Sequence, residues 1–541
     1  MPTRNNRYAR KPRLEALALS LLVLPCVAGA APPARPPTLV VSIVVDQYSA
    51  DLFGEYRSVY RHGLATLASG ALFPYGYQSH AATETCPGHS TVLTGMRPAH
   101  TGIVANEWQG NYCVAALDKQ GKPVISPGSL LVPTLGDRLH DADANSRTVA
   151  IGGKDRAAVM LGGKKSYLTL WWDKGNGFVT YQGASVDAPM QAKIDEVNQD
   201  AKSVYASAQL PRLPVECESR SRPVEIVKGQ YSVGELHETK AASGKFRATP
   251  AMDALTLAMA KAAVDTLELG KGKSIDVLAV SFSATDYAGH YYGTEGAEMC
   301  TQQLALDKTI EELLTHLERK GISFVVALTA DHGGLDIPER NKSRGVPRAR
   351  RLDPQLLPAS IGAKIAEKVG LEKPVLLGGE EFANDVYLAP SVPAGKRSKV
   401  LDELRKEYES PSHRDEVAAV FTRSQLIAAK MPGAPPDQWS LLDRARASFY
   451  EKRSGDLVVL LKPYVTTYPA TSDNYISSHG SPWDYDRRVP IIFWWPGIAG
   501  FEQPAAVETV DIAPTLADVV GLKIDAPGMD GRVLQIGQAH D

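Results

Sequence analysis

A chain of 541 residues, 44% apolar and 22% charged, has ordinary globular composition, which excludes disordered, collagen-like and low-complexity sequence. Lysine and arginine number 59 against 61 acidic residues, a net charge of −2, so a broadly basic, nucleic-acid-binding surface is excluded too. The length suits three or four domains of roughly 100–200 residues each, or one large α/β domain carrying insertions.

The first thirty residues read as a separate segment. Arg4, Arg7, Arg10, Lys11 and Arg13 form a cationic stretch ahead of an apolar run from Leu14 to Val27, and Ala28-Gly29-Ala30 closes it. This is the pattern of a bacterial secretory signal cleaved after Ala30. A lipoprotein signal at Cys26 fits less well, because Pro25 precedes it. The run is short for a membrane span, and no later stretch of about 18 apolar residues follows. The expectation is therefore a periplasmic or secreted protein without a stable membrane anchor. Once Cys26 has left, Cys86, Cys113, Cys217 and Cys300 remain, an even number with three possible connectivities. Sequence proximity alone favours Cys86–Cys113 and Cys217–Cys300. Four free buried thiols are the alternative, and no CxxC zinc spacing is present.

Along the remaining chain, 31–541, near-continuous β-branched runs predict strands covered on both faces. The first is Thr38–Val45, ending at Asp46; a second, Arg147–Ile151, precedes Gly152. Ile275–Phe282 is soon followed by Asp286, and Ser323–Leu328 by Asp331. Between these last two, Leu306, Ile310, Leu313 and Leu317 make a helical stripe, with Gly321 placed to cap it. Residues from about 160 to 250 and from about 336 to 470 differ in texture and read as insertions over one sheet edge. The basic run in the second (Arg340, Lys342, Arg344, Arg348, Arg350, Arg351) reads as a solvated loop, with phosphate steering the minor alternative. Helical pattern recurs near 396–410, and Arg488–Trp495 looks like a final core strand. Trp171-Trp172, Tyr291-Tyr292 and Trp494-Trp495 read as packing.

Chemistry gathers at the strand ends, where open α/β sheets bind ligands. Asp286 and His290 stand four apart, one helical turn, so both can face one ion. Asp331-His332 is followed by Gly333-Gly334, which allow close backbone approach, and His479 sits in a polar loop before the last strand. With Asp46, these groups suit two zinc ions about 4 Å apart, an arrangement that clamps in-line phosphoryl transfer. Each pair alone would pass for a surface or capping feature. In Thr83-Glu84-Thr85-Cys86-Pro87-Gly88-His89-Ser90, a threonine before a Pro-Gly turn leads into a helix-like stretch at 90–94. That places a hydroxyl where backbone amides favour an anion; as a nucleophile it needs a base or metal. Taken alone, it would be an ordinary helix cap.

These residues, in this order, resemble the alkaline phosphatase superfamily, which includes nucleotide pyrophosphatases/phosphodiesterases and sulfatases. The similarity covers 38–160, 275–335 and 473–530, the last including Val510–Leu516. It implies an α/β fold with a central, largely parallel sheet sandwiched by helices and inserted cap segments. It implies one zinc site of Asp286, His290 and His479, and another of Asp46, Asp331, His332 and the Thr85 hydroxyl. Thr85 matches the nucleophile that is transiently phosphorylated; Thr83 competes, but the family's nucleophile stands two residues before the proline. His89 matches no ligand and is expected to make a structural hydrogen bond. A sulfatase would need an arginine two residues past Pro87, where His89 stands. Lys154-Asp155-Arg156 resembles the Lys-x-Arg of phosphate-irrepressible bacterial alkaline phosphatases, and Asn106 matches their phosphate-binding asparagine. The resemblance thus implies a two-zinc phosphomonoesterase acting on small-molecule phosphate monoesters. A phosphodiesterase of the same superfamily, or an exported phosphate-binding protein without activity, are the alternatives.

Overall fold

The computed structural model describes residues 36–207, 212–236, 243–379, 381–472, 474–524 and 528–537. The signal expected at 1–30 lies outside the described residues.

A ten-stranded sheet forms the centre. Its main strands are β1 (Leu39–Val45), β2 (Ala71–Tyr77), β3 (Thr148–Gly152), β4 (Leu168–Asp173), β5 (Gly177–Val179), β6 (Asp276–Phe282), β7 (Phe324–Thr329) and β8 (Arg488–Trp494). They lie in the order β2-β8-β7-β1-β6-β3-β4-β5. From β7 to β4 every pairing is parallel. β8 runs antiparallel to both of its neighbours, and β5 closes the far edge antiparallel to β4.

Two apolar cores explain the unbroken hydrophobic runs. Leu39, Val41, Ile43 and Val45 of β1 enter one, beneath α3 (Pro250–Leu267) and α5 (Ala297–Arg319). Val40 and Val44 enter the other with Val92, Leu93 and Ile512. Water reaches neither face, so a polar alternation would have had nothing to meet. The stripe Leu306, Ile310, Leu313 and Leu317 is buried on α5, and Gly321 follows that helix with φ of +66°.

The insertions divide differently from their expected bounds. The segment from 160 begins inside the sheet: β4 and β5 belong to it, and Trp171 and Trp172 are buried there. The stretch after 336 does build a separate body, a three-stranded sheet (Asp385–Val386, Val417–Thr422, Leu457–Leu461) with helices Pro358–Val369 and Arg397–Tyr408 around a core of its own. The basic run is not simply solvated, which corrects that expectation. Arg340 is buried against Asp336, Arg344 pairs with Glu295, and Arg351 pairs with Glu339 while donating to the Tyr468 and Ile476 carbonyls. Nearby Asp336 and Glu339, together with Glu295 and two carbonyls from distant segments, take up these charges. Disulfides join Cys86 to Cys113 and Cys217 to Cys300, as proximity suggested. Among the described residues no helix is long and apolar enough to cross a membrane.

Candidate metal centre and active site

Strand order brings the candidates together. β7, β1, β6 and β3 are consecutive and parallel, so the residues after them emerge along one edge. β7 delivers Asp331 and His332, β1 delivers Asp46, β6 leads into α4 (Ala284–Tyr292) with Asp286 and His290, and β3 leads to Lys154 and Arg156. The loop before β8 supplies His479. Thr85 opens α1 (Thr85–Thr94), and α2 (Asp155–Gly162) opens just after Lys154.

The helix of Thr85 begins earlier than its sequence suggested. Pro87 is not part of a turn but lies in the first helical turn, where its missing N–H would have had no partner anyway. Gly88 serves close packing: a Cβ there would run into the Asp331 carbonyl, so only glycine lets α1 approach the end of β7.

The three histidines are prepared in the same way. His290 Nδ1 meets the Ser477 carbonyl at 2.8 Å, His332 Nδ1 the Gly333 carbonyl at 2.8 Å and His479 Nδ1 the Thr83 carbonyl at 2.9 Å. A carbonyl only accepts, so each Nδ1 carries the proton and each Nε2 presents a lone pair. Those lone pairs converge on carboxylates: His290 and His479 Nε2 lie 3.4 and 3.5 Å from Asp286 Oδ1, and His332 Nε2 lies 3.6 Å from Asp46 Oδ1 and 3.3 Å from Asp331 Oδ2. Asp46 Oδ1, Asp286 Oδ1 and His332 Nε2 are buried without a hydrogen-bond partner. Lone pairs of this kind, aimed at one another in a dry site, fit a cation held between them, and the nitrogen-oxygen donor set suits zinc.

Burial sets the charges. It holds His332 below its usual range and, with the neighbouring His332 and His290, holds His479 well below, so both stay neutral as metal ligands must be. Burial, with Asp286 and Asp331 nearby, raises Asp46 well above the carboxylate range. Burial also opposes the charge of Lys154, but Asp286 and Asp46 outweigh it and raise its pKa. Lys154 Nζ sits 2.6 Å from Asp286 Oδ2, 2.8 Å from Asp46 Oδ2 and 3.4 Å from the buried Thr85 Oγ1. Arg156 reaches the Tyr112 hydroxyl at 3.4 Å, which itself donates to Asp155 at 2.6 Å.

Two neighbours stand apart from this set. Thr83 Oγ1 donates to the Ser481 carbonyl at 2.7 Å, so its hydroxyl is committed to holding the His479 loop. His89 lies near Asp46 and Asp331, but both ring nitrogens have partners. Nδ1 faces the Thr85 carbonyl at 2.9 Å and Asp331 Oδ2 at 3.0 Å, and Nε2 faces Ser281 Oγ at 2.9 Å. Asn106 reaches the start of α1, with Oδ1 accepting from Cys86 N at 2.8 Å.

The sequence reading passed over Tyr112, Glu84 and Asp253. Glu84 precedes α1 without capping it through its side chain, and its Oε2 accepts from Asn106 N at 2.7 Å. Asp253, buried on α3, accepts from Ala284 N at 3.0 Å and so caps α4 from another helix. A glutamate where Ser, Thr, Asp or Asn normally caps was the one local signal.

A parallel sheet whose strand ends hold an Asp/His cluster around a threonine hydroxyl defines a class. The chain belongs to the type I phosphodiesterase/nucleotide pyrophosphatase family, whose model matches residues 40–482, within the alkaline phosphatase superfamily. Alkaline phosphatase PhoK of Sphingomonas sp. is 43% identical over 524 residues, 94% of this chain and 92% of the relative. Alkaline phosphatase PhoD of Zymomonas mobilis is 42% identical over 514 residues, 92% and 88% respectively. The crystal structure of alkaline phosphatase PafA matches with a TM-score of 0.80 at 24% identity, over 93% of this chain and 99% of that one, a likeness of fold.

Proposed function

We propose that this alkaline phosphatase, a hydrolase of ester bonds, cleaves phosphate monoesters with two zinc ions and a transient phosphothreonine at Thr85. The observation that carries the reading is the convergence of three imidazole Nε2 atoms and three buried carboxylates beside Thr85 Oγ1 and Lys154 Nζ. Asp286, His290 and His479 would hold one ion, and Asp46, Asp331, His332 and Thr85 Oγ1 the other; bound there, the pair supplies Lewis acidity for the nucleophile and the leaving oxygen.

The chain's own groups do the rest. Thr85 Oγ1 gives up its proton to water and attacks phosphorus in line; the bond from phosphorus to the alcohol oxygen breaks, and the departing alkoxide takes a proton from water. Water then attacks phosphorus of phospho-Thr85, inorganic phosphate leaves, and Thr85 regains its proton. Through both steps negative charge lies on the non-bridging oxygens. Lys154, Arg156 and the Asn106 amide would meet it, most strongly in a loose transition state. A monoester carries one more charged oxygen than a diester, so three such donors favour monoesters. The signal pattern and the two disulfides support an exported enzyme.

A steady-state panel of mono- and diesters on the zinc-loaded enzyme tests the reading. Monoester kcat/KM should exceed diester kcat/KM clearly; the reverse order would make the chain a phosphodiesterase.

A further inference from the structure

The amide of Asn106 is held in place by its surroundings. Its N–H donates to Glu84 Oε2 at 2.7 Å, its carbonyl accepts from Cys113 N at 2.8 Å, and its Oδ1 accepts from Cys86 N at 2.8 Å. A backbone N–H can only donate, so the amide cannot be flipped: Oδ1 must face Cys86 and the Nδ2 hydrogens must point away from it. The disulfide ties together Cys86 and Cys113, which supply two of these three contacts. Glu84 supplies the third.

The pairing across this junction is reciprocal. At the cap position of α1 the Glu84 side chain makes no capping bond. Asn106, from another segment, instead satisfies the free Cys86 N–H in the first turn, and Glu84 satisfies the Asn106 N–H. The exchange is that of a capping box, with one partner brought from 22 residues away. Arg156 lies near enough to stabilise the Glu84 charge against burial, which raises its pKa.

We propose that Glu84 is a positioning residue: together with the Cys86–Cys113 bridge it aims the Asn106 amide at the substrate phosphoryl group, at the helix end that carries Thr85. The inference rests on the phosphate-binding reading of Asn106 given above. Glu84 touches neither substrate nor metal in this role and acts through its hydrogen bond to Asn106, which the cycle separates from any effect of its charge on Arg156.

A double-mutant cycle on the full-length, zinc-loaded enzyme tests it, with a phosphate monoester as substrate and inorganic phosphate as inhibitor. Glu84→Ala should lower kcat/KM about tenfold, the scale of one lost hydrogen bond to a charged group, and weaken phosphate inhibition in parallel, with zinc content unchanged. Glu84→Gln keeps an acceptor for the Asn106 N–H and should retain most activity. In an Asn106→Ala background, Glu84→Ala should cost less than about twofold, because the group it positions is gone. The same fold loss in both backgrounds, a Glu84→Gln variant as impaired as Glu84→Ala, or no loss from Glu84→Ala would each overturn the positioning role. In all three cases an intact loss from Asn106→Ala alone would leave the phosphate-binding reading standing. If Asn106→Ala itself changes neither kcat/KM nor phosphate inhibition, that reading falls and the positioning role falls with it.

Discussion

Thr85 Oγ1 is buried, lies 3.4 Å from Lys154 Nζ, and opens a helix whose Cys86 N–H is already taken by Asn106 Oδ1, so the hydroxyl rather than a row of free amides marks this helix end. Thr85→Ala should remove the covalent route and cut kcat by several orders of magnitude, with zinc content preserved, since three other groups remain at that site. Thr85→Ser keeps the hydroxyl and should keep measurable turnover. Rapid acid quench of the wild type should trap phosphate on Thr85; label on Thr83 would mean that the Thr83–Ser481 hydrogen bond is not the whole role of that hydroxyl. In the proposed mechanism Lys154 and Arg156 set the choice of substrate. Loss of one such donor costs about a hundredfold in rate in a water-poor site. The double change Lys154→Ala with Arg156→Ala should therefore reduce monoester kcat/KM far more than diester kcat/KM. Equal losses on both substrates, with zinc retained, would remove the pair as the source of specificity.

Among the elements, α4 matters most, because one turn of it presents Asp286 and His290 together. Its start is capped by Asp253, whose carboxyl is pushed by burial to about 7 from an ordinary value of 3.8, against hydrogen bonds from Ala284, Gln302 and Ser283. Between those two values the folded chain keeps a proton at Asp253 that the unfolded chain has released. The stability it contributes is thus full below about pH 4 and lost as pH rises through 7. Asp253→Asn cannot ionise, and Gln302 Oε1, buried without a partner, can take the new N–H if that amide turns. The variant should match wild type near pH 4 and be the more stable above pH 7, as read from denaturant midpoints. A gap that does not change with pH would show that Asp253 does not titrate in this range. At α1, Gly88→Ala should force the helix away from the Asp331 carbonyl, lowering both the unfolding temperature and the zinc content.

At the scale of the whole molecule, the sheet concentrates Asp46, Asp286 and Asp331 in a dry centre where Lys154 is the nearest cation. Like charges held this close repel strongly in a medium of low dielectric. Exhaustive chelation should therefore abolish turnover and also lower the unfolding temperature, and zinc should restore both better than magnesium, since imidazole suits zinc. Full activity in protein verified to be metal-free would remove the mechanism.

Sequence alone determined the parts whose signals are local. The run Thr38–Val45 read as a two-sided strand because six of its eight residues are β-branched with no polar alternation, and Asp286 with His290 read as one helical face because the two stand four apart. The fold class and the zinc, nucleophile and phosphate candidates came from such pieces together with the family resemblance. Tertiary structure decided what depends on residues far apart in the chain. Strand order put β3 beside β6, and so Lys154 beside Asp46 and Asp286, which no spacing encodes. Gly88 looked like a turn residue until the Asp331 carbonyl appeared against it. Arg351 reads as solvated in the sequence, but the Tyr468 and Ile476 carbonyls, 117 and 125 residues away, accept from it. Glu84 and Asp253 carried no chemistry of their own in the sequence, because each works through a backbone N–H that only folding delivers. A side chain's propensity and periodicity are written in its neighbours along the chain; its hydrogen-bond partner and its dielectric are set by whatever packs against it.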